Sequence, residues 1–169
     1  KISEQIQRAK IMFNVGMAKA GYKGKYVYCY CTKSSQFSFV LEEVLKNDTH
    51  IETSSAYDMP IIKELNASGL LPKDKYIICN GYKPSQYIQK IADLIEEDDL
   101  RVVPVVDNID ELKQLINLTT KELNIGIRIA SEEEPKFEFY TSRLGIRYRE
   151  IVPFYKAILK ENPRVRVKM

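Results

Sequence analysis

One pattern recurs along this chain and limits what it can fold into. A short apolar, β-prone run ends, one polar residue follows, and a helix-patterned stretch begins. The first run is Tyr26-Val27-Tyr28-Cys29-Tyr30-Cys31, followed by Lys33; later runs lead to Glu52, Asn80, Asp107 and Arg128. Strands alternating with helices at this spacing are parallel and joined by right-handed crossovers. Such folds keep their active sites at the carboxyl ends of the strands, so these polar residues are expected on one rim. A rim lysine beside a carboxylate and an arginine is a candidate amine nucleophile toward a carbonyl group. The plain alternative is a solvated lysine in a loop.

The periodicity places the elements. Residues 3–20 read as a helix, with Ile6, Ala9, Met12, Phe13 and Met17 at helical spacing, broken by Gly21 and Gly24. Strand one covers about 26–32, and Ser34 or Ser35 can cap the next helix, which carries Phe37, Val40, Leu41, Val44 and Leu45 on one face. A short strand, 49–52, precedes a helix over 57–67. Strand 75–79 leads to a helix opened by Pro84-Ser85. Strand 101–106 contains Pro104, which predicts a bulge or an irregular edge, because proline cannot donate to the ladder. Helix 109–118, strand 124–130, a loop with the acidic run Glu132-Glu133-Glu134, helix 147–161 and strand 165–169 complete the order.

A doubly wound sheet and a (β/α) barrel both fit this order. A complete barrel has eight strands. The expectation is therefore α/β, a parallel TIM-type (β/α) barrel that is incomplete, one partial domain over 1–169 cut from a longer chain. Hydrophobic content of 44% and charged content of 29% fit a folded globular chain. Net charge is +3 and spread out; the densest basic stretch, Arg164-Val165-Arg166-Val167-Lys168, alternates as a solvated strand face does, so no nucleic-acid partner is expected. No apolar run approaches bilayer length and no signal-peptide core opens the chain, so a cytoplasmic protein with no membrane partner is expected. Cys29, Cys31 and Cys79 read as buried thiols filling core gaps; their spacing and the lone His50 make a poor metal set, and none is expected.

Several segments are familiar. Tyr76-Ile77-Ile78-Cys79-Asn80-Gly81-Tyr82-Lys83 is similar to a signature of bacterial biosynthetic arginine decarboxylases, as is Gly21-Tyr22-Lys23 at its distance from Lys33. Tyr30-Cys31-Thr32-Lys33 resembles the lysine segment of the fold-type III pyridoxal-phosphate decarboxylases. Glu52-Thr53-Ser54-Ser55, Asp107-Asn108-Ile109-Asp110-Glu111-Leu112, Ile127-Arg128-Ile129 and Ser142-Arg143-Leu144-Gly145 resemble further segments of that family, in order. Ser34-Ser35 after the lysine and Arg143 depart from the usual pattern.

The resemblance implies an alanine-racemase-like barrel that binds pyridoxal 5'-phosphate through Lys33, with Glu52, Asn80, Asp107 and Arg128 around the cofactor. It implies an ion pair between Glu52 and Arg128, with a purely structural pair as the alternative. Asn80 and Asp107 could instead cap the following helices. Asp58 matches an acidic position of some relatives, or is a helix-start carboxylate favoured by the dipole. The activity implied is decarboxylation of a basic amino acid, arginine to agmatine in polyamine (spermidine) biosynthesis, by a homo-oligomer. A carboxynorspermidine- or diaminopimelate-type decarboxylase and a non-catalytic cofactor-binding barrel are the alternatives. The family's phosphate loop, ring-stacking histidine and pyridinium carboxylate have no counterpart among these residues.

Overall fold

The computed structural model describes residues 1–130 and 144–169. Helix α1 (Ile2–Lys19) precedes strand β1 (Cys29–Cys31). Then follow α2 (Ser38–Leu45), β2 (His50–Thr53), α3 (Met59–Ala67), β3 (Tyr76–Cys79) and α4 (Ser85–Glu97). Strand β4 (Arg101–Val106), α5 (Ile109–Leu118), β5 (Leu123–Ile127), α6 (Tyr148–Glu161) and β6 (Val165–Val167) complete the chain. The six strands form one sheet in sequential order, β1-β2-β3-β4-β5-β6, and every pairing is parallel. A doubly wound sheet reverses its strand order at a switch point. This sheet never does, so it is the wall of an incomplete TIM-type barrel.

The two faces of that wall differ. Ile51, Ile77, Val102, Val106, Leu123 and Ile125 lie on one face and pack with helix residues such as Leu41, Ile62, Ile91 and Leu115 into the main core. The alternate residues Ile78, Val103 and Val105 form a small separate cluster on the opposite, helix-free face. The period-two alternation of each strand thus feeds two different cores.

Local departures from the sequence pattern have physical reasons. Strand β1 is only three residues long, because as an edge strand it pairs with β2 alone, from Cys29 to Cys31. Tyr26 instead stacks on Phe13 of α1, ring centroids 4.3 Å apart. Pro104 makes no edge and lies in an interior strand: β4 pairs with β3 over Arg101–Pro104 and with β5 over Val105 and Val106. The missing N–H falls where one ladder hands over to the other. Neither Ser34 nor Ser35 caps α2; residues Thr32–Ser34 form a 3-10 turn, and Phe37 takes the N-cap position. Phe37 leaves the helix's core face and stacks on exposed Phe39, centroids 5.7 Å apart. Cys29 is exposed and Cys31 half-buried; only Cys79 is a core thiol, its pKa pushed up to about 11 by burial. The acidic run 132–134, Ser142 and Arg143 lie outside the described residues. No described helix is long and apolar enough to cross a membrane.

Candidate functional site at the carboxyl rim

Glu52, Asn80, Asp107 and Arg128 follow the alternation of the helix-free face to the carboxyl ends of β2, β3, β4 and β5. Cys31, Glu52, Ile78 and Val103 occupy one register row across that face. Asn80 and Val105 come two residues later along their strands, Asp107 and Arg128 later still. Lys33 lies just past β1, in the 3-10 turn. All five sequence-predicted residues therefore share the rim; the structure joins four of them into two clusters and leaves Lys33 beside the first.

The first cluster centres on Glu52. Its Oε1 accepts from Asn80 Nδ2 at 3.1 Å and lies 3.7 Å from Cys31 Sγ. Asn80 Oδ1 accepts the Gly81 N–H at 2.8 Å. Gly81 has φ +82°, and a Cβ there would stand 3.1 Å from Ser54 O, so only glycine lets the β3 loop lie against the β2 loop. Beside this cluster, buried Thr32 donates its hydroxyl to Glu52 O at 3.2 Å. Lys33 itself is exposed, and among the described residues its amine has no hydrogen-bond or ion-pair partner. Its charge reaches the Cys31 thiol. Burial pushes that thiol's pKa up and Glu52 adds to the rise, while the Lys33 backbone N–H and charge oppose it.

The second cluster is built on a buried amine. The Lys83 ammonium donates to Gly81 O at 2.8 Å, to Glu111 Oε2 at 3.2 Å and to Val105 O. Its side chain is wholly buried and its three donors are all used. Lys83 is thus a fastener between the β3 and β4 ends rather than a second free amine. Glu111 Oε2 also accepts the Asp107 N–H at 3.0 Å. Asp107 is buried with neither carboxylate oxygen hydrogen-bonded, and Arg128 Nε stands 3.8 Å from its Oδ1. Burial raises the Asp107 pKa and Glu111 raises it further, while Lys83 and Arg128 oppose both. The Arg128 backbone is gripped on both sides, its N–H by Val106 O at 3.1 Å and its carbonyl by Ile146 N–H at 2.7 Å.

The expected ion pair of Glu52 with Arg128 does not form. Strands β3 and β4 stand between their strands, and Arg128 pairs with Asp107. Neither Asn80 nor Asp107 caps a helix: α5 is capped by Asn108, whose side chain accepts from Glu111 N at 2.9 Å, and α4 starts at Ser85. Asp58 is the N-cap residue of α3 but makes no side-chain cap bond; its carboxylate turns back to accept from Ser54 N (2.8 Å) and Ser55 N (3.0 Å). Sequence reading missed Glu111 and the fastening role of Lys83; no local pattern marks a pair so far apart in the chain. His50, at the amino end of β2, accepts the Tyr76 N–H on Nδ1 at 2.8 Å and belongs to the opposite rim.

For a phosphate-bearing aldehyde cofactor, the described residues of the rim offer one exposed amine, Lys33, and a buried carboxylate whose oxygens have no hydrogen-bond donor among them, Asp107. That set suits a covalent anchor and a polar lining. The described residues contain no glycine-rich loop that could cradle phosphate.

No family model matches the chain. It is similar to proteins named biosynthetic arginine decarboxylase. The one from Bacteroides thetaiotaomicron is 31% identical over 147 residues, covering 81% of this chain and 22% of the relative. The one from Phocaeicola vulgatus gives the same figures, 31% over 147 residues. That from Vibrio vulnificus is 27% identical over 161 residues, 89% of this chain and 25% of the relative. The chain thus spans about a quarter or less of the length of these relatives.

Proposed function

Starting from a chain related in sequence to biosynthetic arginine decarboxylases, we propose that it forms the lysine-bearing wall of a cytoplasmic, pyridoxal-phosphate-dependent carboxy-lyase that converts arginine to agmatine. The observation that carries the reading is Lys33. It is an exposed amine, without a partner among the described residues, at the carboxyl end of the first strand of a sequential parallel sheet. Lys33 would hold the cofactor covalently, with Glu52, Asn80, Asp107 and Arg128 around it. When bound, pyridoxal phosphate supplies the electron sink that accepts the pair released as CO2 departs.

The chain's own residues bind and orient. Asn80 fixes one oxygen of Glu52, so the other keeps its accepting capacity for a group on the rim. Asp107 engages Arg128 through Nε, and the backbone bonds to Val106 and Ile146 fix where that side chain starts. Lys83 neutralises Glu111 from within the core, which among the described rim residues leaves Lys33 as the amine open to a carbonyl compound.

The test is borohydride reduction of the full-length protein with pyridoxal phosphate, peptide mapping, and assay of agmatine from arginine. Label on Lys33 with agmatine release supports the reading. Label on another lysine overturns it. Label on Lys33 without turnover of any basic amino acid identifies a non-catalytic binding barrel.

A further inference from the structure

The segment that carries Lys33 lies at one edge of the rim. It follows a three-residue edge strand that has a neighbour on one side only. Two side-chain ties nevertheless bind it to the β2 loop, one on each side of the lysine. Before it, Thr32 Oγ1 donates to Glu52 O at 3.2 Å. After it, Gln36 Nε2 donates to Asp58 Oδ1 at 2.7 Å.

The second tie ends on an unusual carboxylate. Asp58 is 1% exposed. Its Oδ2 accepts from Ser54 N at 2.8 Å, Ser55 N at 3.0 Å and Ser55 Oγ at 3.2 Å, while Gln36 occupies Oδ1. Four donors thus converge on this carboxylate, three of them on Oδ2. No cation is among them, so among the described residues this group is not half of an ion pair. Its bonds are local, Ser54 to Asp58, except for the one to Gln36. Ser54 and Ser55 directly follow β2 and so continue the strand end that presents Glu52. Gln36 is exposed and belongs to neither core cluster, and among the described residues the side-chain bond it makes is the one to Asp58 that joins the two loops.

We propose that Gln36 and Asp58 are positioning residues that act on Lys33. Their bond sets the separation between the lysine turn and the Glu52 strand end, and Asp58 stiffens the receiving loop. The proposal rests on the reading of Lys33 as the covalent anchor. Displacing a reacting amine from its aligned position costs rate without changing what it binds.

The experiment uses the full-length protein and reads capture of pyridoxal phosphate by Lys33, followed by absorbance and by borohydride trapping, alongside kcat and KM for arginine. Gln36→Leu removes the tie. The expected result is capture and kcat both about tenfold slower, with KM nearly unchanged. The urea unfolding midpoint stays at the wild-type value. Gln36→Glu places two carboxylates together and slows capture further. Adding Asp58→Asn reverses the donor and acceptor and brings the capture rate back toward wild type. If the wild type is labelled on Lys33 while Gln36→Leu matches it in capture rate and kcat, the strap is overturned and the anchor stands. If the wild type is not labelled on Lys33, the anchor reading falls and the strap falls with it.

Discussion

Arg128 Nε stands 3.8 Å from Asp107 Oδ1, across the neighbouring ends of β5 and β4. Asp107 is the half of this pair that bears the cost of burial, since neither of its oxygens is hydrogen-bonded. Its raised pKa means that ionising it works against the fold, and that this cost sets in as pH rises through its titration. Asp107→Asn is therefore expected to change stability at neutral pH by only about 1 kcal/mol or less. Lys83→Met strands Glu111 and two carbonyls in the interior, and is expected to destabilise by about 3–5 kcal/mol. Urea unfolding of both variants checks the contrast; equal losses would contradict this account of the cluster.

His50 makes stability depend on mild acid. Burial lowers its pKa and the nearby Lys75 charge lowers it further, against the pull of Asp48 and Asp74. The neutral ring accepts the Tyr76 N–H that ties β2 to β3, and a proton on Nδ1 abolishes that bond. The folded-state pKa lies below the ordinary value near 6.5, so this contribution is complete above pH 6.5 and is lost as pH falls toward the folded value. Denaturation midpoints measured from pH 8 to 5 should drop below 6.5 in the wild type. His50→Gln should flatten that part of the profile.

Lys33→Ala should leave the fold intact. An exposed lysine with no partner among the described residues contributes about 0.5 kcal/mol or less. The same substitution should abolish cofactor attachment and nearly all decarboxylation in the full-length protein. Retained attachment, read by absorbance and mass spectrometry, would transfer the anchor role elsewhere.

The 169-residue chain on its own should not release agmatine from arginine, because groups that act as a unit lose orders of magnitude in rate when separated. It should also self-associate. Met12, Phe13 and Tyr22 are 63%, 55% and 65% exposed on and just after α1, and β1 presents an unpaired edge. Sedimentation at several concentrations and a product assay test both statements.

Much of this was legible in the residues. The alternation of Val102, Val103, Val105 and Val106, with helical spacing at Ile88, Ile91 and Ile95, marks a parallel βα array without reference to any coordinate. The order of that array should also have excluded Glu52 as partner of Arg128. Strands β2 and β5 are three positions apart in a sequential sheet, about 14 Å at ordinary strand spacing. The Asp58 contacts had a local sign too: Ser55-Ala56-Tyr57-Asp58 before an apolar run is half of a capping box. Gln36 had none, because its bond crosses to another loop and depends on where β1 ends. The early end of β1 was likewise hidden, since residue type does not tell an edge strand how much partner it will find.

The fasteners along this rim each span one strand gap: Thr32 and Gln36 to the β2 end, Gly81 against Ser54, Lys83 to Val105 and Glu111, Asp107 to Arg128. Linked parts of this kind accumulate error, as in any assembly dimensioned piece by piece from its neighbour. A residue inserted in the β3 loop, between Gly81 and Lys83, displaces everything from Asp107 onward relative to Lys33. The turn at Gly69 and Pro72 lies at the opposite rim, outside that series, and is anchored in the core by Leu71. A change of loop length at the carboxyl rim thus shifts one end of the wall against the other.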